Sequence, residues 1–260
     1  MNSRFHLTHR IAGLFVSAVF GYASIAVGAA QTENVIHRFT RSTSDGGIPG
    51  AGFIADKSGN LYGTTVRSGA FDQGTVFELS PPTVSGGSWT QTILYSFTGG
   101  TDGASPQGQL TFDAAGNLFG TAFYGGNPDF GTGVVFELSP STSGGSWTQT
   151  VLWAFDSGTG VDGSNPTSNL VFDTQGYLYG VTAEGGAGSI YCGEEGCGTV
   201  FQLRPPTTPG GPWTESDIYN FFSVGTTDGF GPTGILLGAG ACCTGQPVTV
   251  AQTESVPSSS

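Results

Sequence analysis

The chain of 260 residues contains the sequence Leu61-Tyr62-Gly63-Thr64-Thr65 and repeats it twice more in a common register. The later copies are Leu118-Phe119-Gly120-Thr121-Ala122 and Leu178-Tyr179-Gly180-Val181-Thr182. A second motif, Gly-Thr-Val-Phe-Glu-Leu or a close variant, follows each copy at 74–79, 133–138 and 198–203. Copies lie 57 to 66 residues apart, so residues 31–240 form a tandem-repeat domain. Its units are about 33–97, 98–155 and 156–222, with a partial unit at 223–240.

Each unit is predicted to contain four strands. In the second unit these are residues 109–113, 118–123, 133–138 and 147–155, which are rich in β-branched and aromatic residues. One sheet cannot bury both of its faces, so neighbouring units must stack. The sequence therefore predicts an all-β fold, a propeller-like array of four-stranded antiparallel blades that is incomplete, with three blades plus part of a fourth. A β-solenoid is the alternative, although its coils usually need fewer residues.

Composition narrows the class of protein. The chain has 45 Gly and 14 Pro but only 10% charged residues, which excludes a helical bundle or coiled coil. Its net charge of -12 would repel the phosphates of nucleic acid. Nucleic-acid binding is therefore excluded.

The first 30 residues are predicted to be a secretory signal peptide. Arg4 and Arg10 precede an apolar stretch at 11–28, and small residues end at Ala30, where we expect cleavage. A permanent membrane anchor is the alternative, but the stretch is only just long enough to span a bilayer. We expect a secreted or cell-surface protein without a membrane span after cleavage. His37 would then be the one remaining histidine, which leaves few options for acid–base or zinc chemistry.

The combination of Leu-Tyr-Gly-Thr-Thr with Gly-Thr-Val-Phe-Glu-Leu resembles the Gloeo/Verruco (GloVer) tandem repeat over about residues 33–240. This resemblance implies an exported bacterial protein with a propeller-like repeat. It implies no established catalytic activity, and no catalytic residue is assigned from it.

Aromatic residues recur at fixed positions of the repeat. Trp89, Trp147 and Trp213 each begin the predicted fourth strand, and we expect them to pack between blades. A sugar-stacking platform is the alternative role. The rest of the predicted repeat core is Tyr62, Phe119 and Tyr179.

Two sets of carboxylates recur as well. Asp56, Asp113 and Asp173 occupy Asp-x-x-Gly sequences, which predict hairpin turns. A second set begins the Asp-Gly-x-x-Pro steps at Asp102, Asp162 and Asp228, with a looser copy from Asp45 to Pro49. The meander places these steps on one edge of the blades, together with Asp72, Asp129, Glu194 and Glu195. Asp102, Asp162 and Asp228 are candidate Ca²⁺ ligands, and the alternative is a solvated acidic rim whose aspartates cap their own turns. No other cofactor is predicted.

The cysteines and the C-terminal residues depart from the repeat. Cys192 and Cys197 lie in an insertion of the third unit and are predicted to form a loop disulfide. Residues 241–260 lose the strand pattern, and a one-base shift of a back-translated gene restores a Leu-Leu-Tyr-Gly sequence there. We therefore expect 241–260 to be a disordered, frameshifted tail, in which Val248-Thr249-Val250 is the one strand-like stretch.

The sequence contains no Gly-x-Ser-x-Gly elbow, His-Glu-x-x-His motif or phosphate-binding loop. It favours an exported, non-enzymatic and monomeric repeat protein, a surface-structural or binding module whose acidic loop edge meets an extracellular polymer or protein. The alternative is a fragment of an extracellular carbohydrate-active enzyme that uses a pair of these carboxylates as acid and base.

Overall fold

The computed structural model of the protein describes residues 34–127, 131–141, 145–156, 162–186, 192, 196–221, 229–236 and 249–251. These residues form β-strands, turns and bends, and none of them is helical. The all-β prediction is confirmed. The predicted signal peptide and most of the predicted tail lie outside the described residues. All described strands belong to one compact unit that begins at Ile36.

Three antiparallel sheets follow one another along the chain, one for each complete repeat. The first sheet contains β1 (Gly46–Pro49), β2 (Ile54–Ala55), β3 (Leu61–Ser68), β4 (Thr75–Ser80) and β5 (Thr90–Ser96). The second contains β6 (Ala104–Pro106), β7 (Thr111–Phe112), β8 (Leu118–Tyr124), β9 (Val134–Ser139) and β10 (Thr148–Ala154). The third contains β11 (Gly163–Pro166), β12 (Val171–Phe172), β13 (Leu178–Gly185), β14 (Thr199–Arg204) and β15 (Thr214–Asn220).

The predicted first strand of each repeat is divided into two short strands. In the second repeat β6 pairs with the end of β8, and β7 pairs with its beginning. The Asp-Gly-x-x-Pro step therefore supplies strand residues as well as a turn, which the sequence did not predict. Residues 107–110, between the two short strands, lie opposite only residues 120–121 of β8, so the pairing register shifts by two residues there. Within β6, Ser105 has a φ of 52° and precedes Pro106, which has no N–H to donate. Ile48 and Asn165 occupy the same position in the other repeats, with φ of 60° and 57°.

Phenylalanines of the Gly-Thr-Val-Phe-Glu-Leu motif form the centre of the core. Phe77, Phe136 and Phe201 are fully buried. Each is the cross-strand partner of the glycine in the Leu-Tyr-Gly motif, at Gly63, Gly120 and Gly180. The two repeated motifs therefore specify one packing contact in each sheet, between β3 and β4, between β8 and β9, and between β13 and β14.

Successive sheets pack on each other through shared clusters. The first cluster joins Val76 and Phe97 of the first repeat to Phe136 of the second. The next joins Phe155 of the second repeat to Phe201 of the third. Each described repeat thus completes its core with residues of its neighbour, as expected for a stacked array.

One backbone hydrogen bond also recurs at each contact between repeats, and we call this contact the junction. Its donors are the N–H groups of Ser105, Asn165 and Gly231, and its acceptors are the carbonyls of Gln73, Thr132 and Cys197, at 2.8, 2.7 and 2.9 Å respectively. The proline after each donor packs on the glycine after each acceptor, at Gly74, Gly133 and Gly198. The junction therefore has the same form three times.

The partial fourth repeat contributes β16 (Gly234–Leu236), which pairs with β17 (Thr249–Ala251). The buried Ile235 packs with Val181 and Phe221 of the third repeat. β17 lies inside the predicted tail, at the one stretch for which the sequence allowed strand pairing. The described part of the chain contains no helix with the length and hydropathy that a membrane crossing requires.

Candidate functional site

β15, the last strand of the third sheet, carries two acidic residues at positions that are neutral in β5 and β10. Where the first repeat has Thr90-Gln91-Thr92-Ile93 and the second has Thr148-Gln149-Thr150-Val151, the third has Thr214-Glu215-Ser216-Asp217. A neutral amide and an aliphatic side chain are thus replaced by two carboxylates. Alternate residues of a strand share a face, so Glu215 and Asp217 lie on the same side of β15.

Asp162, which precedes β11, completes a cluster with these two residues. One carboxylate oxygen from each of Asp162, Glu215 and Asp217 lies within 4.8 Å of the other two. All three residues are half-buried. We call this group the carboxylate triad.

One carboxylate oxygen of each triad residue is buried without a hydrogen-bond partner, whereas Asp162 Oδ2 accepts the N–H of Asp156 at 3.1 Å. Among the described residues, Asp162 Oδ1, Glu215 Oε1 and Asp217 Oδ1 are inaccessible to solvent and accept no hydrogen bond. Trp153 Nε1 is buried beside Asp162, and its N–H acts to lower the pKa of that carboxyl group. Burying a charge without a partner is costly, so this arrangement requires bound protons or a cation.

The pKa values of the triad are raised. Burial raises the pKa of Asp162 to about 6, and the charge of Asp217 adds to the rise, while the N–H of Asp156, at 3.1 Å, opposes it. Burial also raises the pKa of Glu215, and the charges of Asp162 and Asp217 add to that increase. Burial raises the pKa of Asp217, although side-chain hydrogen bonds with Thr199 and Glu215 act to lower it. The triad therefore attracts positive charge near neutral pH.

Asp102 and Asp162, the two predicted calcium ligands that the structure describes, have different neighbours. Asp102 accepts hydrogen bonds from the Tyr95 hydroxyl at 2.9 Å and the Thr98 N–H at 2.8 Å, and it also contacts the Thr98 hydroxyl. It therefore caps its own turn, as the alternative interpretation held. Asp162 has different neighbours, and Asp228 lies outside the described residues.

Two other acidic residues of the predicted edge, Asp72 and Asp45, have hydrogen-bond partners of their own. Asp72 accepts a hydrogen bond from the N–H of Ser68 at 2.9 Å. Asp45 accepts hydrogen bonds from Thr40, His37 and Gly46. Asp129, Glu194 and Glu195 lie outside the described residues.

The hairpin aspartates act as turn residues. In each turn one carboxylate oxygen accepts hydrogen bonds from two backbone N–H groups. The donors are Ser58 and Asn60 for Asp56, Ala115 and Asn117 for Asp113, and Gln175 and Tyr177 for Asp173. Their distances are 2.8 to 2.9 Å. Local hydrogen bonding accounts for these residues without a ligand.

The aromatic residues predicted for the core differ in burial. Tyr62, Phe119 and Tyr179 are buried. The three tryptophans are half-buried, and Trp147 and Trp213 pack against the shared clusters. Trp89 occupies the same position, just before β5, but is not among the residues packed against these clusters.

Cys192 and Cys197 form the predicted disulfide, with a Cα–Cα distance of 5.3 Å. A disulfide is compatible with an extracellular location. Both cysteines line an open cavity of about 530 Å³ together with Phe230 and Gly231 of the fourth repeat.

Glu215 and Asp217 were not among the residues predicted from sequence. The signal that could have found them is the alignment of the fourth strands, in which these two positions change from neutral to acidic in the third repeat. Glu215 and Asp217 lie close to Asp162 only in the folded protein, because Asp162 and Glu215 are 53 residues apart along the chain.

Together, the tandem antiparallel sheets and the recurring junction define an all-β tandem-repeat protein. A family model described as the Gloeobacter/Verrucomicrobia repeat matches residues 17–252. The chain belongs to this family, as its repeated motifs indicated. A comparison with curated proteins found no match.

Proposed function

We propose that this protein is an exported, non-enzymatic repeat module whose third repeat binds one divalent cation at the carboxylate triad. The observation that carries the proposal is the convergence of three buried, unpartnered carboxylate oxygens from Asp162, Glu215 and Asp217. A cation would give all three oxygens a partner at once. It would also remove the repulsion that raises the pKa of Glu215.

The donor set favours calcium. Carboxylate oxygens are hard ligands, which suit Ca²⁺ and Mg²⁺ better than metals that prefer thiolate or imidazole. Ca–O distances of about 2.3 to 2.6 Å place oxygens on opposite sides of the ion about 5 Å apart, and the triad fits within this span. Mg²⁺ requires a smaller octahedron with distances of about 2.0 to 2.1 Å. Water would supply the remaining calcium ligands.

The sheets are proposed to be blades of an incomplete propeller-like array, with a β-solenoid as the alternative. Each antiparallel sheet is four strands wide, because its two short strands pair with the same long strand, and it shares its core with the next repeat; both features support this arrangement. The N-terminal sequence and the disulfide support export to the cell surface or medium. We propose a monomer whose acidic loop edge, stabilised by the cation, meets an extracellular polymer or protein.

The alternative function, a fragment of a carbohydrate-active enzyme, would use the same residues. A carboxylic acid with a raised pKa, such as Asp162, is what a glycosidase needs as its general acid. The two functions respond differently to metal. A bound cation would keep the three carboxyl groups ionised, and the general acid would be lost.

The test is calcium binding by the whole chain, measured by isothermal titration calorimetry and thermal unfolding. The informative variant is Glu215→Gln with Asp217→Val, which introduces the residues found at Gln149 and Val151. The wild type should bind one Ca²⁺ and gain about 2.7 kcal/mol of stability at a hundred times the dissociation constant. The double variant should fold but show neither effect.

A matched control removes two negative charges elsewhere. Glu78→Gln with Glu137→Gln introduces the residue that the third repeat carries at Gln202. This control should bind calcium like the wild type. The proposal is wrong if calcium does not stabilise the wild type, or if it stabilises the Glu215→Gln/Asp217→Val variant equally.

A further inference from the structure

The disulfide lies at the third junction. Gly231 of the fourth repeat donates its N–H to the carbonyl of Cys197 at 2.9 Å. At the first and second junctions the accepting residues are Gln73 and Thr132. Of the three described junctions, the third is thus the one in which a disulfide-bonded residue accepts the hydrogen bond that joins two repeats.

Packing around Cys197 extends this contact. Cys197 is 1% exposed and belongs to the same buried cluster as Phe221 and Ile235, and Ile235 lies in β16. Gly198 lies against the ring of Pro232, since a Cβ at Gly198 would lie 2.8 Å from Pro232 Cδ. The backbone around the disulfide is therefore part of the surface on which the fourth repeat docks.

The loop that carries the disulfide is the longest of its kind. The connection between β3 and β4 spans residues 69–74 in the first repeat. The equivalent connections span residues 125–133 between β8 and β9 and residues 186–198 between β13 and β14. In the first repeat Asp72 fixes this short loop by accepting the N–H of Ser68. A longer loop loses more conformational entropy on closure, and the Cys192–Cys197 bond reduces that cost.

We propose that the Cys192–Cys197 disulfide is a redox switch that controls docking of the fourth repeat on the third. An external dithiol reduces the bond by supplying two electrons and two protons. Cys192 and Cys197 become thiols, and the dithiol becomes a disulfide. The open cavity beside Phe230 gives access to the bond, and Cys192 is the more exposed of the two residues. Reduction frees the loop, so the Cys197 carbonyl is no longer held toward the Gly231 N–H.

The test is hydrogen–deuterium exchange with mass spectrometry on the whole chain, oxidised and after reduction with a dithiol. Exchange of the peptide that contains residues 231–236 should become at least about tenfold faster on reduction. The internal control is the peptide that contains Ser105, whose junction has the same hydrogen bond but no cysteine. Its exchange should not change.

A Cys192→Ser/Cys197→Ser variant without reductant should reproduce the fast exchange of residues 231–236. The proposal is overturned if exchange of 231–236 is the same in both redox states. It is also overturned if the Ser105 peptide accelerates equally, because the disulfide would then stabilise the whole molecule rather than one junction.

Discussion

The ring of Phe136 occupies the space that a side chain at Gly120 would fill. A Cβ built on Gly120 would lie 2.7 Å from Phe136 Cζ and 2.9 Å from Leu110 Cδ2. The two residues are cross-strand partners on β8 and β9. The glycine of the Leu-Tyr-Gly motif is thus required by the phenylalanine of the next motif.

Gly120→Ala should therefore destabilise the protein. The added methyl group would displace a fully buried ring, and overpacking of this kind costs about 1 to 3 kcal/mol. Urea denaturation measures the loss. Gly100→Ala is the control, because the nearest atom to its Cβ would be 3.4 Å away. Equal stability of the two variants would show that the close contact has no energetic effect.

Ile48→Asn should stabilise the protein. Ile48 is a β-branched residue with a φ of 60°, a left-handed conformation that costs about 1 to 2 kcal/mol in a residue other than Gly, Asn or Asp. The third repeat has Asn165 at this position. We expect a gain of about 1 kcal/mol in the free energy of unfolding. The reciprocal change, Asn165→Ile, should be destabilising, and a loss of stability in Ile48→Asn would contradict the strain.

Stability without metal should fall as the pH rises from about 4 to 6. The folded protein holds the Asp162 proton more tightly than the unfolded chain, because the pKa is about 6 when folded and 3.8 in the unperturbed group. Raising the pH through this range removes a proton that favours the folded state. Melting temperatures measured in EDTA should show the decline, which should be smaller in the Glu215→Gln/Asp217→Val variant. An equal decline in both proteins would assign it to other groups.

Asp45 should produce the opposite dependence at low pH. Burial acts to raise its pKa, but hydrogen bonds from Thr40, His37 and Gly46 outweigh it and lower the pKa to about 2. Its stabilisation is therefore present above about pH 4 and lost as the pH falls toward 2. Asp45→Asn should unfold more easily at pH 6, and its melting temperature should depend less on pH between 4 and 2. Wild-type behaviour at low pH would exclude Asp45 as the source.

The sequence predicted what local chemistry determines. The turns at Asp56, Asp113 and Asp173 follow from hydrogen bonds within five residues, and the Cys192–Cys197 bond follows from short spacing. Strand order could be predicted for the same reason, because each strand pairs with a close neighbour along the chain. The division of the first strand was missed because it is a shift in pairing register with β8, which the repeated sequence motifs do not show.

The candidate site required the tertiary structure. Asp162 belongs to a sequence step shared with Asp102, so the repeat pattern predicted the same role for both. The structure separates them, because the partners of Asp102 are Tyr95 and Thr98 whereas those of Asp162 include Glu215 and Asp217. The repeat pattern identifies residues that the copies share, whereas the carboxylate triad depends on Glu215 and Asp217, which only the third repeat has at these positions.

The recurring junction also determines how the protein should respond to mechanical force. Each repeat touches its neighbours through the same carbonyl-to-amide contact, first between Gln73 and Ser105 and then between Thr132 and Asn165. In the described part of the chain the main contacts between repeats join neighbours along the chain, so the repeats should resist extension one at a time. Tension applied to its ends should therefore detach one sheet at a time, each at a similar force. A protein built in this way could lengthen in steps without losing all of its folded repeats.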